Sequence, residues 1–301
     1  MDIRQAGSAD TPKVRALWEE GFGNEQPYTD WYFGRVYTPE RTLLLEKDGQ
    51  LLAALQTAAY DLVWAGQPLP AAYFVGVVTA NSHRHQGYGH ALMREAMNRL
   101  RQAGVAMALL YTDVPGFYAP LGFAHCYQLR RIAIPARPGP LPSGWARQEL
   151  TDEAIRQLDG IYRQMTGSWN GYIRRSRDNW RNYLEEQRCD EGEIWLSPDA
   201  YLLWYKAKGQ PEIRELGFGD KAALNSALAA AAALAAAKNL PVAGWLAPLA
   251  APLPPAFQGS LKPYLMACRL DRPELDGSRL AAATRDWYRG YGQSNWINEM
   301  T

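Results

Sequence analysis

The sequence is poor in cysteine and in net charge, and each shortage excludes a class of protein. Its three cysteines, Cys126, Cys189 and Cys268, are widely spaced and lie beside no histidine cluster. They argue against a disulfide framework or a metal site and favour a reducing, cytoplasmic environment. A formal net charge of +1 gives no reason to expect a nucleic acid or a membrane surface as partner.

Long hydrophobic segments are also missing. Residues 1–14 lack the apolar core of a signal peptide. The alanine-rich stretch 227–237 has eleven uninterrupted apolar residues, whereas a membrane helix needs about 20. We expect a helix at Lys221–Asn239 that packs closely on a sheet.

The remaining composition is that of a globular protein of about two domains. Apolar residues make up 47% and charged residues 21% of the 301 positions. Strand and helix patterns alternate, which predicts an α/β protein with a mixed sheet. The stretch 135–144 holds four prolines and two glycines and predicts a linker. We expect a first domain at 1–136, a linker at 137–147, a second domain at 148–270, and a C-terminal helix and tail at 271–301.

The stretch Val75–Leu92 combines a strand, a glycine-containing loop and the start of a helix. Free backbone N–H groups at a helix N-terminus form an anion site. Gly87 and Gly89 let the backbone approach a phosphate closely. Arg84 beside them is charged at neutral pH, so this stretch predicts a phosphate-binding loop.

Two motifs in this region resemble those of a known family. The spacing Arg84-x-x-Gly87-x-Gly89 is similar to the acetyl-CoA pyrophosphate loop of the GNAT acetyltransferases. Phe117–Phe123, FYAPLGF, resembles the next signature of that family. The resemblance implies the acyl-CoA N-acyltransferase fold, with acetyl-CoA as cosubstrate. It also implies transfer of the acetyl group to a primary amine by direct attack in a ternary complex.

The resemblance implies roles for residues on both sides of the loop. The strand is expected to pair with the pantetheine arm in a gap between two splayed strands, and the loop to hold the pyrophosphate. The implied cofactor-binding residues are Val77, Val78, Thr79, Arg84, His85, Gln86, Gly87, Tyr88, Gly89 and His90.

The expected chemistry needs an acid, and the amine must also lose a proton. Tyr118 matches the position at which the family places a tyrosine beside the thioester sulfur. No carboxylate or histidine lies in the strand 70–80, where many members carry a glutamate. Asp113 follows the neighbouring strand and is either the base or a cap for the turn before Pro115.

The sequence resembles one branch of the family more closely than the others. The hairpin 64–77, with its Gly-x-x-Leu-Pro-Ala sequence, is similar to that of the enhanced-intracellular-survival (Eis-like) enzymes. In that branch the terminal carboxylate assists, which implicates Thr301. Eis-like proteins continue into a sterol-carrier-like domain, which we do not expect here because about thirty residues follow Cys268.

The second half repeats the loop motif. Arg214–Gly219 again reads Arg-x-x-Gly-x-Gly between a strand and a helix. Its arginine lies within the strand pattern and no FYxxxGF sequence follows. We interpret it as a coincidence or a degenerate loop without cofactor, in a second GNAT-like domain produced by internal duplication.

Several alternatives stay open. The aromatic segment Tyr28–Phe33 either packs in the core or forms one wall of an acceptor site. A tandem-GNAT aminoacyl transferase that uses charged tRNA is a rival function, as is a non-catalytic acyl-CoA-binding module. The acceptor, a small molecule or a peptide, is not fixed, and a homo-oligomer is neither predicted nor excluded.

Overall fold

The structure is a computed structural model that describes residues 1–64, 66–167, 169–207, 210–238, 242–246, 253, 256–257 and 259–272. Its strands, in chain order, are β1 (Asp2–Gln5), β2 (Thr42–Lys47), β3 (Gln50–Trp64), β4 (Gln67–Thr79), β5 (Met107–Tyr111), β6 (Ala124–His125), β7 (Gln128–Ile134), β8 (Ala146–Gln148), β9 (Tyr172–Arg174), β10 (Glu193–Leu196), β11 (Ala200–Ala207), β12 (Gln210–Phe218), β13 (Val242–Leu246), β14 (Gly259–Pro263) and β15 (Leu265–Arg269).

The helices alternate with these strands. They are α1 (Thr11–Phe22), α2 (Tyr28–Trp31), α3 (Tyr88–Gln102), α4 (Pro115–Tyr118), α5 (Asp152–Thr166), α6 (Arg177–Cys189) and α7 (Lys221–Ala237). Short 3-10 turns cover Ser8–Asp10, Pro39–Arg41, Asn81–His83 and Ala119–Leu121, and a π-helical turn covers Tyr32–Val36.

The strands form two sheets with the same plan. The first sheet has the order β1-β2-β3-β4-β5-β15-β6, and β9 adds to β3. The second sheet has the order β8-β10-β11-β12-β13-β7-β14. In each sheet, one pair of neighbouring strands is parallel and the others are antiparallel. The parallel pair is β4 with β5 in the first sheet and β12 with β13 in the second. The mixed α/β prediction is confirmed, and the repeated order supports the internal duplication.

The two sheets exchange strands. The consecutive strands β6 and β7 lie in different sheets, since β7 pairs with β13 and β14 of the second sheet. The exchange is reciprocal, because β15 crosses back to pair with β5 and β6. Strand pairing therefore does not follow the predicted boundary at residue 136, and the division of the chain into domains stays a prediction.

The predicted linker is shorter than expected. Residues 135–145 contain neither helix nor strand, but β8 begins at Ala146 and pairs with β10. The linker prediction 137–147 therefore runs two residues into the second sheet. The predicted C-terminal helix and tail lie outside the described residues.

Strands β4 and β5 separate along their length. They pair only at Ala71–Tyr73 with Met107–Leu109, although β4 runs on to Thr79. At a bulge in β4, the two residues Gly76 and Val77 lie opposite a single residue of β3. Gly76 has φ +58, and a Cβ there would lie 2.2 Å from the Trp18 ring. The bulge thus bends β4 away from β5 and opens the sheet.

Helices α3 and α7 occupy corresponding places after β4 and β12. Helix α3 buries Leu92, Met93 and Met97 against the first sheet. Helix α7 buries a face of alanines, as its composition predicted, and ends at Ala237. The predicted end at Asn239 is outside the described residues. Among the helices in the described residues, none is long and apolar enough to cross a membrane.

A shared core joins the two sheets. Trp18, Tyr73 and Leu109 from the first sheet side belong to the same buried cluster as Trp180 and Tyr201 from the second. The second half of the chain is therefore in a position to contribute to any site on this face of β4.

Candidate functional site

A cavity of about 670 Å³, the donor cavity below, lies where β4 ends and α3 begins. It lies beside the part of β4 that continues beyond the last pair with β5. Its lining residues are Val77, Thr79, His83, Arg84, His85, Gly87, Tyr88, Gly89, His90, Val114, Phe117 and Tyr118.

The loop before α3 has the backbone of an anion site. Gly87 is its N-cap residue, with φ +83 and no side-chain cap, and His85 also has positive φ. The N–H groups of Tyr88, Gly89 and His90 in the first helical turn have no acceptor within the helix. These donors and the positive end of the helix dipole favour an anion in the donor cavity.

The two loop glycines serve different purposes. Gly87 has open space around its Cα and is required for its left-handed φ. A Cβ on Gly89 would lie 3.0 Å from the Phe117 ring and 3.4 Å from the Thr79 hydroxyl. The absence of a side chain at Gly89 therefore lets α3 pack closely on α4.

Arg84 brings a positive charge to the rim of the cavity. Its side chain is exposed, and its Nε donates to the Thr79 carbonyl at 3.4 Å. The contact ties the guanidinium to the end of β4. An anion held by the loop amides would therefore also meet the Arg84 charge.

Two of the histidines around the loop, His83 and His90, have nearby hydrogen-bond partners. His90 Nε2 lies 2.8 Å from the Phe117 carbonyl, which only accepts, so this nitrogen carries a proton. His83 Nδ1 lies 2.8 Å from the Ser82 hydroxyl. No group of three or more metal-ligating side chains converges in the described residues.

Two of the predicted cofactor-binding residues do not line the cavity. Val78 is buried on the other face of β4, where it packs in a cluster with Val14 and Leu17 of α1. Gln86 is exposed at the loop tip. In a strand, successive side chains point to opposite faces, so Val78 is left with backbone contacts only.

Tyr118 lines the donor cavity. It is 8% exposed and packs against Phe117 and Phe123. Burial raises the pKa of Tyr118 to about 12. Its phenol therefore stays protonated at neutral pH, as a proton donor requires.

Asp113 lies outside this lining. It is exposed, and its Oδ1 accepts from the Tyr111 hydroxyl at 3.3 Å. The turn before Pro115 is capped instead by Thr112, whose Oγ1 accepts from the Val114 N–H at 3.0 Å. The capping role predicted for Asp113 is therefore wrong, because Thr112 occupies that place. Thr301 lies outside the described residues.

The second Arg-x-x-Gly-x-Gly sequence forms no comparable loop. Arg214 is buried within β12 and pairs with Glu186 at 2.8 Å. A Cβ on Gly217 would overlap the Tyr201 ring. The N-terminus of α7 is capped by Asp220, whose Oδ1 accepts from Ala223 N–H. A carboxylate thus occupies the place that a phosphate would need.

The aromatic segment Tyr28–Phe33 serves largely as core. Tyr32 is 2% exposed and stacks on Trp18 with ring centroids 4.7 Å apart. It also lines a second, smaller pocket together with Gln56. Sequence reasoning missed Gln56, although one glutamine within the apolar run 51–59 was a usable signal.

Comparison with known proteins identifies a family and a fold. Residues 2–126 match the family model described as an acetyltransferase (GNAT) domain. No curated protein matches the sequence. The fold is similar to that of a GCN5-related N-acetyltransferase from Kribbella flavida, with 22% identity, a TM-score of 0.73, and coverage of 90% of this chain and 72% of that one.

Two further solved structures share the fold. A probable N-acyltransferase from Enterococcus faecalis is 17% identical, with a TM-score of 0.72 and coverage of 90% and 73%. Eis1 from Mycobacterium abscessus is 16% identical, with a TM-score of 0.65 and coverage of 90% and 74%. The chain therefore has the GNAT acyltransferase fold.

Proposed function

We propose that this chain, which carries a GNAT acetyltransferase domain at residues 2–126, transfers an acetyl group from acetyl-CoA to a primary amine. One observation carries the proposal. A single cavity contains an uncapped helix N-terminus, the free end of β4 and a buried tyrosine. These are the parts needed to hold a phosphate, an extended arm and a leaving thiolate.

The loop and the strand would hold the cosubstrate. The backbone N–H groups of residues 87–90, with Arg84, would bind the pyrophosphate. Val77 and Thr79 lie beyond the last β4–β5 pair, so the pantetheine amides can bond with this part of β4. Acetyl-CoA supplies the activated thioester, and the chain orients it.

Tyr118 would act as the acid. The amine nitrogen attacks the thioester carbon, a C–N bond forms, and the C–S bond breaks. The departing thiolate takes the phenolic proton of Tyr118. The described cysteines do not line the donor cavity, which supports direct transfer rather than an acyl-enzyme intermediate.

Two carboxylates are our candidates for the base that neutralises the amine. Asp113 follows β5 and would have to act through water, because it does not line the donor cavity. The terminal carboxylate of Thr301 is the second, by resemblance to the Eis-like branch. The fold similarity to Eis1 and the β3–β4 hairpin support placing the chain near that branch. We also propose that the enzyme is cytoplasmic.

Release of CoA with a panel of amines tests the function. We expect steady release with at least one of a set of polyamines, aminoglycosides, amino acids and lysine peptides. Retention on a CoA resin without release for any amine would instead indicate a non-catalytic acyl-CoA-binding module. Absence of retention, with transfer from charged tRNA, would indicate the aminoacyl transferase.

A further inference from the structure

A second pocket, called the β3 pocket below, borders β4, the strand whose end lines the donor cavity. Its volume is about 110 Å³. Val75 lines the β3 pocket and Val77 lines the donor cavity, with the bulge residue Gly76 between them. A Cβ on Gly76 would lie 3.3 Å from Gln56 Oε1. The β3 pocket therefore reaches the point at which β4 leaves β5.

Gln56 is a buried amide side chain in the lining of this pocket. Its side chain is 3% exposed, and its Oε1 accepts from the Tyr32 hydroxyl. Burial raises the pKa of Tyr32, so this hydroxyl keeps its proton and remains the donor. Gln56 Nε2 has no hydrogen-bond partner in the described structure. A buried amide without a partner is unfavourable, and a ligand oxygen would satisfy it.

The charged side chains of the pocket are positive. Arg35 and Arg41 line it, and no carboxylate does so in the described part of the chain. Arg35 pairs with Glu185 at 3.3 Å, whereas Arg41 forms no ion pair with a described carboxylate. The pocket thus has an excess of positive charge and of donors.

Helix α6 in the second half of the chain closes the pocket. Asn179 and Asn182 line it from that side. The carboxamide oxygen of Asn179 accepts from the Ser176 N–H at 2.9 Å in the capping box of α6. Its NH2 group is then the part that can meet a ligand, which adds a donor to the set.

We infer that the β3 pocket binds a carboxylate of the acceptor, so that the acceptor is a primary amine that also carries a carboxylate. The inference rests on the proposed function and names the class of its second substrate. Several donors and an arginine without a partner suit a carboxylate, and they repel a polycation. The position beside Gly76 places the amine of such a molecule a few bonds from the free end of β4.

Equilibrium binding tests the pocket without requiring turnover. Calorimetry in the presence of CoA compares three pairs of probes: lysine with cadaverine, tyrosine with tyramine, and phenylalanine with phenethylamine. We expect the acid of each pair to bind at least about tenfold more tightly, as a charge-assisted hydrogen bond provides. Equal or weaker binding of the acids would overturn the inference.

Substitutions locate the preference. Arg41→Gln and Gln56→Leu should each reduce the acid preference by about tenfold while leaving CoA affinity unchanged. Arg137→Gln, in the exposed stretch before β8, removes the same charge away from the pocket and should keep the preference. An unchanged preference in both pocket variants would contradict the assignment.

Acetyl transfer to the same six probes separates the two proposals. If the acids bind but none of the wider amine panel releases CoA, the β3 pocket stands and the proposed acetyl transfer fails. If cadaverine, tyramine and phenethylamine are acetylated at least as fast as their acids, the transfer stands and the acceptor class is wrong.

Discussion

Arg84 and Arg214 begin identical motifs but lie in opposite environments. Arg84 is exposed at the rim of the donor cavity, whereas Arg214 is buried and paired with Glu186. Desolvation of Glu186 raises its pKa, and the Arg214 charge counters that rise. Arg84 can thus contact a ligand, whereas Arg214 is part of the core.

Exchanging the charge of Arg84 should affect binding of the cosubstrate. Arg84→Glu places a negative charge beside the loop amides, and we expect acetyl-CoA affinity to fall by at least about tenfold. Calorimetry measures this directly, with melting temperature as the check on folding. Unchanged affinity would remove Arg84 from the pyrophosphate site.

The buried arginine should behave in the opposite way. Arg214→Gln leaves the Glu186 carboxylate buried without its partner, which costs about 3–5 kcal/mol of unfolding free energy. Below the melting temperature of the variant, acetyl-CoA affinity should match the parent chain. A loss of affinity without a loss of stability would mean that the second motif does bind the cosubstrate.

Tyr118 should matter for turnover more than for binding. Tyr118→Phe keeps the packing but removes the proton, so we expect kcat to fall by about 10²-fold or more with little change in acetyl-CoA affinity. Because burial raises the Tyr118 pKa to about 12, its acid form persists through mild alkali. Steady-state kinetics should therefore show no Tyr118-dependent fall in kcat between about pH 8 and about pH 10.

At the scale of the element, the β4 bulge determines the shape of the site. Residues 71–73 keep β4 against β5, and the bulge at Gly76 turns the rest of the strand away. The same bulge brings Gly76 against Trp18 and Gln56. One irregular position thus separates Val77, which lines the donor cavity, from Val75, which lines the β3 pocket.

Adding a methyl group at this bulge should be costly. Gly76→Ala combines positive φ with a 2.2 Å approach to Trp18, and we expect a loss of about 3 kcal/mol in unfolding free energy. Gly160→Ala is the matched control, because Gly160 is exposed within α5 and meets nothing within 4 Å. That change should stabilise by about 0.5–1 kcal/mol. Denaturant unfolding compares the two, and equal stabilities would contradict the strain at Gly76.

Local patterns predicted single elements but not how they combine. The strand and helix of Val75–Leu92 and the helix from Lys221 follow from patterns that are encoded within a few residues. The loop before α3 follows from its glycines. The β3 pocket does not, because α6 completes it from more than a hundred residues away.

At the scale of the whole molecule, the reciprocal strand exchange was not predictable from sequence. The apolar pattern of a strand shows that it belongs to a sheet but does not show which sheet. The sequences of β7 and β15 therefore do not indicate where each strand pairs. The proline-rich stretch after β7 suggested a domain boundary, but the chain already crosses to the second sheet before it, between β6 and β7, and crosses back only at β15.

The exchange makes the first sheet depend on the far end of the described chain. A chain ending at Tyr264 would lack β15, which leaves β5 paired only with β4 and removes the buried Leu265, Met266 and Leu270. We expect it to lose cooperative unfolding and to aggregate. A chain ending at Arg272 keeps β15 and is the control. Melting temperatures within about 2 °C of each other would show that β15 is dispensable.

The same exchange has a consequence for synthesis of the protein. Tyr111 of β5 leaves the ribosome about 150 residues before its partner Leu265. At about 5–20 residues per second, the delay is on the order of ten seconds or longer. Throughout this time β5 and β6 lack their shared partner β15. Strand β7 likewise lacks partners until β13 and β14 have been made. The nascent chain therefore carries two unfinished sheets at once, and neither is complete until β14 and β15 have been made.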